Sequence, residues 1–335
     1  MRTFRVIASL IVSVLLAGAA RADELEQIML RRYNEAVAQE NWPFAIAAAE
    51  KLHELRPKGG VFAFNAACAH ARAGDKASSA KWLLVSARNG FAGIASFEDD
   101  PDLVSVRSEP GYAEALAIVR KTVEARFAQF KALADAAKPV TVLPPGFDRA
   151  TPAPLIIALH GSGGRGDETS QRWQGAAANV GAVLIAPDAL RPMGGGYQWT
   201  FRDEADWYIQ KLISDARQQH NIDPQRVVLV GFSQGANISF MMGVKHPGMF
   251  RGIVPVCGHW EAGVAPVPEK TSDATRWFVI TGANDPAAAT NNDFAARAKK
   301  AGLPVELRVV PRTGHSYPPD GDATLTEALR AILAR

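Results

Sequence analysis

Six apolar runs constrain what this 335-residue chain can fold into: LIIALH at 155–160, AVLIAP at 182–187, RVVLVG at 226–231, GIVPVC at 252–257, RWFVIT at 276–281 and VELRVV at 305–310. Their apolarity is largely continuous rather than alternating, and they alternate with segments of helical spacing. Strands of that kind are buried on both faces, as in a mostly parallel sheet with helices packed on each side. The Pro-rich lead-in KPVTVLPPGFDRATPAP at 138–154 predicts an edge strand entering that sheet.

Upstream of Lys138 the language changes. Residues 23–138 hold long Ala-rich amphipathic stretches almost without β-branched runs, which propensity and the 3.6-residue period both assign to helix. At about 150 residues per domain the length accommodates two domains, so the expected plan is all-α over 23–138 and α/β over 139–335. With 47% hydrophobic and 21% charged residues, a largely disordered chain and a polytopic membrane chain are both excluded.

The formal charge of +3 invites a basic-surface explanation, but its location removes it. Residues 1–22, MRTFRVIASLIVSVLLAGAARA, combine a basic start, an apolar run from Val6 to Ala17 and small residues at Ala20 and Ala22. That is the three-part pattern of a secretory signal peptide, with a run short of the roughly 20 residues a membrane span needs. Three of the 37 basic residues (Arg2, Arg5 and Arg21) and none of the 34 acidic ones lie in it, so cleavage after Ala22 leaves a neutral chain. The expectation is export to the periplasm or the medium, with no stable membrane span after cleavage and no nucleic-acid partner.

Export frames the two cysteines. Cys68 and Cys257 stand alone in small or apolar surroundings, which favours two buried thiols over a bridge between the halves of the chain. The seven histidines are scattered, without metal-ligand spacing. The chemistry is expected to need neither metal nor cofactor.

The segment RVVLVGFSQGANISFMMGVKHP at 226–247 carries that chemistry. A buried strand ends at Gly231, Gly231-Phe232-Ser233-Gln234-Gly235 forms G-x-S-x-G, and a helix begins at once. The turn is so tight that side chains at the two glycine positions would collide with neighbouring elements, while Ser233 is pushed out above the sheet as a nucleophile. The helix N-terminus adds a favourable dipole for developing negative charge. Leu159-His160-Gly161-Ser162-Gly163-Gly164 ends an earlier strand in a glycine-rich turn, so the N–H groups of Ser162 and Gln234 form the expected oxyanion pair. A phosphate cradle is disfavoured because HGSGG lacks the lysine and spacing of a nucleotide loop. Past later strands come Asp285, in GANDP, and His315, in TGHSY, in the chain order Ser, acid, His. His315 would relay the proton of Ser233 while Asp285 fixes its tautomer, with Glu261 as reserve acid.

On these residues the chain from about 138 to 335 resembles the α/β-hydrolase fold. Within that fold it is similar to esterase groups that include phospholipase/carboxylesterases, dienelactone hydrolase-like proteins and secreted polyester or feruloyl esterases. The shared stretches are HGSGG, Trp173 to APDA at 186–189, the helix from Asp206 to His220 with NIDPQRV, GFSQGAN, GANDP and TGHSY. The resemblance implies the triad Ser233, Asp285 and His315, the oxyanion pair Ser162 and Gln234, and serine ester hydrolysis through an acyl-enzyme. After GANDP the sequence runs AAATNN, where many carboxylesterases of this group continue with Val-Pro.

Residues 28–118 resemble, in degenerate form, the tetratricopeptide family. Turns at Glu40-Asn41 and Gly74-Asp75 recur at a helix-turn-helix repeat length, and Pro57 stands at a unit boundary. Such a domain either binds a protein partner or serves as an architectural layer.

The loop ALRPMGGGYQWTF at 189–201 offers Tyr197 and Trp199 as aromatic walls, with Gly194–Gly196 as a mobile stretch, or else packs as ordinary surface. His259 and Trp260 stand at the root of the loop from Gly258 to Thr275, which is too short for a cap domain. An open cleft for a small-molecule or polymer-end ester follows. The competing functions are a peptidase of the prolyl oligopeptidase type, against which the lack of a propeller domain counts, and an envelope scaffold with a degenerate hydrolase domain, against which the intact motifs count.

Overall fold

A computed structural model describes residues 23–267 and 274–334. The leader at 1–22 lies outside the described residues. The chain divides into two compact units, one ending at Gln129 and one starting at Phe130.

The first unit is helical. It comprises α1 (23–38), α2 (Trp42–Leu55), α3 (Gly60–Arg72), α4 (Lys76–Arg88), the short α5 (Ile94–Glu98), a 3-10 turn at Pro101–Leu103 and the first part of α6 (Pro110–Ala136). The two expected turns fall between α1 and α2 and between α3 and α4. Glu40 and Gly74 take positive φ there, 51° and 85°, and Asp75 caps α4 by accepting the Ser78 N–H at 3.0 Å. Pro43 sits in the first turn of α2, where its missing N–H costs nothing. Phe64, Leu83, Phe97 and Tyr112 form the apolar centre of α3 to α6, with the Phe64 and Phe91 rings stacked at 4.6 Å and the Tyr112 hydroxyl donating to Phe97 O at 2.6 Å.

The second unit is built on a seven-stranded sheet. Its strands are β1 (Val140–Val142), β2 (Ala153–Leu159), β3 (Val183–Ala186), β6 (Ile222–Phe232), β7 (Gly252–Val256), β8 (Arg276–Gly282) and β9 (Val305–Val310), in the order β1-β3-β2-β6-β7-β8-β9. β4 (Arg191–Met193) and β5 (Gly196–Gln198) form a separate hairpin. Among the described residues of the seven-stranded sheet, β1, the expected edge strand, runs antiparallel to its neighbour and the other pairs are parallel.

Alternate residues of one strand feed two cores, which is why the runs read as continuous. Leu155, Ile157 and Leu159 join Val227, Leu229, Ile253 and Val279 under α8 (Arg202–Gln219), α9 (Gln234–Lys245) and α10 (Ala288–Ala301). Ile156 and Ala158 join Leu184, Val228, Val254 and Phe278 under α7 (Gly166–Ala178) and α11 (Asp322–Leu333). At about 1.5–3 kcal/mol for each fully buried large apolar side chain, both faces hold the sheet. The strand before Ser233 therefore sits in the middle of the sheet, with its C-terminal end at a fixed height. Both cysteines are buried and unbridged. Among the described residues no helix is long and apolar enough to cross a membrane.

Candidate active site

Ser233 lies between β6 and α9 with φ 53° and ψ −117°, a strained conformation for a residue with a side chain. The flanking glycines are there for space. A Cβ on Gly231 would lie 2.4 Å from the backbone of Gly235, and one on Gly235 would lie 2.6 Å from the carbonyl oxygens of Leu159 and His160. The elbow is thus pressed against the end of β2, and the Ser233 N–H is anchored on Val256 O of β7 at 3.0 Å.

His315, in the loop after β9, bridges the other two residues. Its Nε2 lies 2.9 Å from Ser233 Oγ and its Nδ1 lies 2.9 Å from Asp285 Oδ2. Asp285, in the turn after β8, has a fully buried side chain, whereas that of His315 is 46% exposed. Burial alone would raise the Asp285 carboxyl. The Ala287 N–H, the Cys257 thiol and His315 outweigh it and hold the group below the usual carboxylate range. The Ala287 bond, 2.7 Å to Oδ1, is an Asx turn before the helix, so Asp285 fills the turn and pairs with His315 at once. The two loops are laced by Asn284 N to Thr313 O at 2.9 Å. Glu261, the reserve acid, faces away and pairs with Arg202 at 2.9 Å.

The HGSGG turn approaches the elbow from β2. A Cβ on Gly161 would lie 3.2 Å from Ser233 Cβ. The ring of His160 is fixed in one tautomer: Nδ1–H donates to Gly161 O at 2.6 Å, and Nε2 accepts the Ala189 N–H at 2.9 Å. Burial pushes its pKa down, against the pull of that carbonyl and of Asp188 and Glu168, so it stays neutral. Neither the Ser162 nor the Gln234 N–H has a hydrogen-bond partner among the described residues, which leaves both donors available to an oxygen at the site.

Residues 200–332, which include Ser233, Asp285 and His315, match the family described as Phospholipase/Carboxylesterase. The second unit has the α/β-hydrolase fold and is similar to that family over this stretch. Two curated relatives share part of it: a candidate esterase, NocK, of Nocardia uniformis subsp. tsuyamanensis, 26% identical over 31% of this chain, and poly(3-hydroxyalkanoate) depolymerase C of Paucimonas lemoignei, 34% identical over 32% of it. The matches span about a third of the length of these relatives, 33% and 28%. An uncharacterized protein from Bacillus cereus ATCC 10987 shares the fold at 17% identity and a TM-score of 0.50, over 91% of this chain and 97% of its own.

Around this site the four expected substrate contacts divide. Trp199 is 4% exposed, with its indole N–H given to His160 O at 3.0 Å. Trp260, also 4% exposed, gives its N–H to Ala265 O at 2.9 Å and packs edge-on against Phe294. Both rings are core members rather than pocket walls, because each indole N–H finds its acceptor inward. Tyr197 is half-buried beneath Arg165, whose guanidinium lies 5.6 Å from the ring centre. His259 is exposed near the elbow, its N–H donating to Asn237 Oδ1 at 2.7 Å.

The stretch Gly194–Gly196 lies in a hairpin. Gly194 and Gly195, at φ 56° and 92°, make the two-residue turn of the β4–β5 hairpin. The hairpin is zipped to the HGSGG turn by Gly163 N to Tyr197 O at 2.8 Å and Tyr197 N to Gly164 O at 3.0 Å. Three neighbours escaped sequence reasoning. Met193 approaches Ser162 Oγ with its sulfur at 3.9 Å. Phe232 lies 5.2 Å from the His315 ring and stacks at 4.6 Å on Tyr317. Cys257 ends β7 beneath the His315 loop. Phe232 and Tyr317 were visible as the variable positions of GFSQG and TGHSY; Cys257 carried no motif.

Proposed function

We propose that this protein is a serine hydrolase of carboxylic esters that works through an acyl-enzyme. The observation that carries the proposal is His315 hydrogen-bonded at 2.9 Å to both Ser233 Oγ and Asp285 Oδ2, beneath a serine held at φ 53°. Ser233 O–H donates to His315 Nε2, and His315 Nδ1–H donates to the ionised Asp285. As Ser233 Oγ attacks the ester carbonyl, its proton passes to His315, and Asp285 stabilises the imidazolium without taking a proton. The carbonyl oxygen becomes an oxyanion facing the N–H groups of Ser162 and Gln234. Collapse expels the alcohol with the proton from His315, and water repeats the sequence to release the acid.

The exposed edge of His315 and the short loop after β7 support an open site that accepts a soluble or polymer-end ester. The relatedness to a poly(3-hydroxyalkanoate) depolymerase is consistent with that class. Export is part of the proposal and rests on the leader-like residues 1–22. The helical unit is proposed as two degenerate tetratricopeptide-like hairpins. Ser233→Ala should abolish turnover of a short-chain p-nitrophenyl ester and labelling by a fluorophosphonate probe. Retained turnover would overturn the assignment, and a wild-type chain that resists the probe would favour a scaffold.

A further inference from the structure

Cys257 is not a reacting group in the hydrolysis proposed above, yet it lies against two residues that are. It follows β7 with φ 52° and is 1% exposed. Its Sγ stands 3.2 Å from Ser316 O and 3.9 Å from Gly314 O, the carbonyls on either side of His315. A ring nitrogen of His315, a carboxylate oxygen of Asp285 and Cys257 Sγ all lie within 4.8 Å of one another.

Thiolate, imidazole and carboxylate together are the donor set of zinc-class ions, which take sulfur at about 2.3 Å and nitrogen or oxygen at about 2.0–2.2 Å. Three donors around one such ion at tetrahedral angles stand about 3.3–3.6 Å apart. An entering ion would part His315 Nδ1 and Asp285 Oδ2 slightly from 2.9 Å and draw in Cys257 Sγ, which lies within 4.8 Å of both groups. Its donors come from the ends of three successive strands, β7, β8 and β9, and two of them are buried. Asp285 is held by the Ala287 N–H at 2.7 Å, and the Cys257 backbone N–H is held by Ile280 O at 2.8 Å. His315, half exposed, is free to yield to an entering ion.

We propose that Cys257, Asp285 and His315 form an inhibitory site for a thiophilic divalent cation of the zinc class. The inhibition rests on the triad assignment; the binding does not. Coordination expels the Cys257 thiol proton to solvent and shifts the Nδ1 proton of His315 to Nε2, so one proton is released per ion. His315 then presents an N–H instead of a lone pair to Ser233 Oγ, and the general base is lost. The other thiol, Cys68, lies 3.9 Å from Asp100 Oδ2 in a group with Asp102 that has no imidazole, and it serves as the internal control.

The test is a Cd2+ titration of the full chain, read by the thiolate-to-metal absorption band, alongside Zn2+ inhibition of ester turnover. Wild type, Cys68→Ser and Ser233→Ala should each show the band, and Cys257→Ser should lose it. Zn2+ should inhibit wild type and Cys68→Ser, reversibly with EDTA, and leave the residual turnover of Cys257→Ser uninhibited. Should Cys257→Ser not fold, His315→Gln, which keeps the thiol, should bind Cd2+ more weakly than wild type. A band that survives in Cys257→Ser, equal Zn2+ sensitivity of that variant, or unchanged Cd2+ affinity in His315→Gln would overturn the site. A band that behaves as expected in a protein whose Ser233→Ala variant still turns over ester would leave the metal site standing and sink the triad instead.

Discussion

The side-chain carbonyl of Gln234 accepts a hydrogen bond from the backbone N–H of Trp199 at 3.0 Å. The residue after the proposed nucleophile is thus tied to the residue after β5. That strand in turn exchanges two backbone hydrogen bonds with Gly163 and Gly164. Both proposed oxyanion donors, on separate loops, are aligned through this one hairpin. Gln234→Ala keeps the donor N–H and cuts the tie. Its kcat should fall about tenfold with little change in KM, less than the 10²–10³ lost when a donor itself is removed. Steady-state kinetics on a soluble ester check this, and an unchanged kcat would separate the hairpin from oxyanion alignment.

Asp285→Asn tests the tautomer directly. Asparagine fits the same space and can still accept the Ala287 N–H, but its amide would favour the wrong tautomer of His315. The kcat should drop by about 10⁴-fold while the fold persists, by analogy with triads in which the aspartate is replaced by its amide. Circular dichroism alongside kinetics distinguishes lost catalysis from lost structure.

Asp206 gives the second unit a pH-dependent stability term far from the elbow. It accepts from Gln210 at 2.7 Å, contacts His246 Nε2 at 2.8 Å and pairs with Lys245. Burial would raise its pKa, but Lys245, Gln210 and His246 outweigh that and hold it below the ordinary value. For a depressed carboxyl the unfolded chain binds the proton more readily. The stabilisation is therefore present above the unfolded value near pH 4 and is lost as the pH falls through the folded one. Asp206→Asn should cost about 1–3 kcal/mol at pH 7, the range for charged hydrogen bonds. Urea midpoints of the two proteins should converge as the pH falls below the ordinary carboxylate range.

Trp260 separates packing from recognition. Its ring lies among Phe294, Trp277 and Phe240 in the core beneath α10. Trp260→Ala should cost about 3–5 kcal/mol of stability. Trp260→Phe, which keeps most of the packing, should leave relative kcat/KM values across a set of acyl lengths unchanged. A changed acyl preference in Trp260→Phe would return the ring to the substrate site.

The central strands were legible because residues buried on two faces must be apolar at every position; β9, expected to be buried likewise, lies at the sheet edge, only partly buried, and carries Glu306 and Arg308. The elbow was legible because its glycines answer a steric demand of the strand-turn-helix: Gly231 has no room for a Cβ against Gly235 of the same turn, and Gly235 has none against the end of the adjoining strand β2. The tryptophans were not. Trp199 and Trp260 stand in loops beside catalytic motifs, where an aromatic residue reads equally as wall or core. Their burial and the direction of each indole N–H, toward His160 O and toward Ala265 O, favour the core.

Sequence alone determined which backbone could form: the doubly buried sheet, the order of its motifs, and a serine whose neighbours allow no other turn. Those are short-range requirements, written in residue type and period. Tertiary structure decided what meets what. Cys257 looked like an unremarkable buried thiol, and it lies beneath His315 only because β7, β8 and β9 are adjacent in the sheet and end together. Gln234 and Trp199 are 35 positions apart, and their hydrogen bond depends on where a hairpin lands. Contacts of that kind depend on strand order and loop packing, which no local pattern encodes.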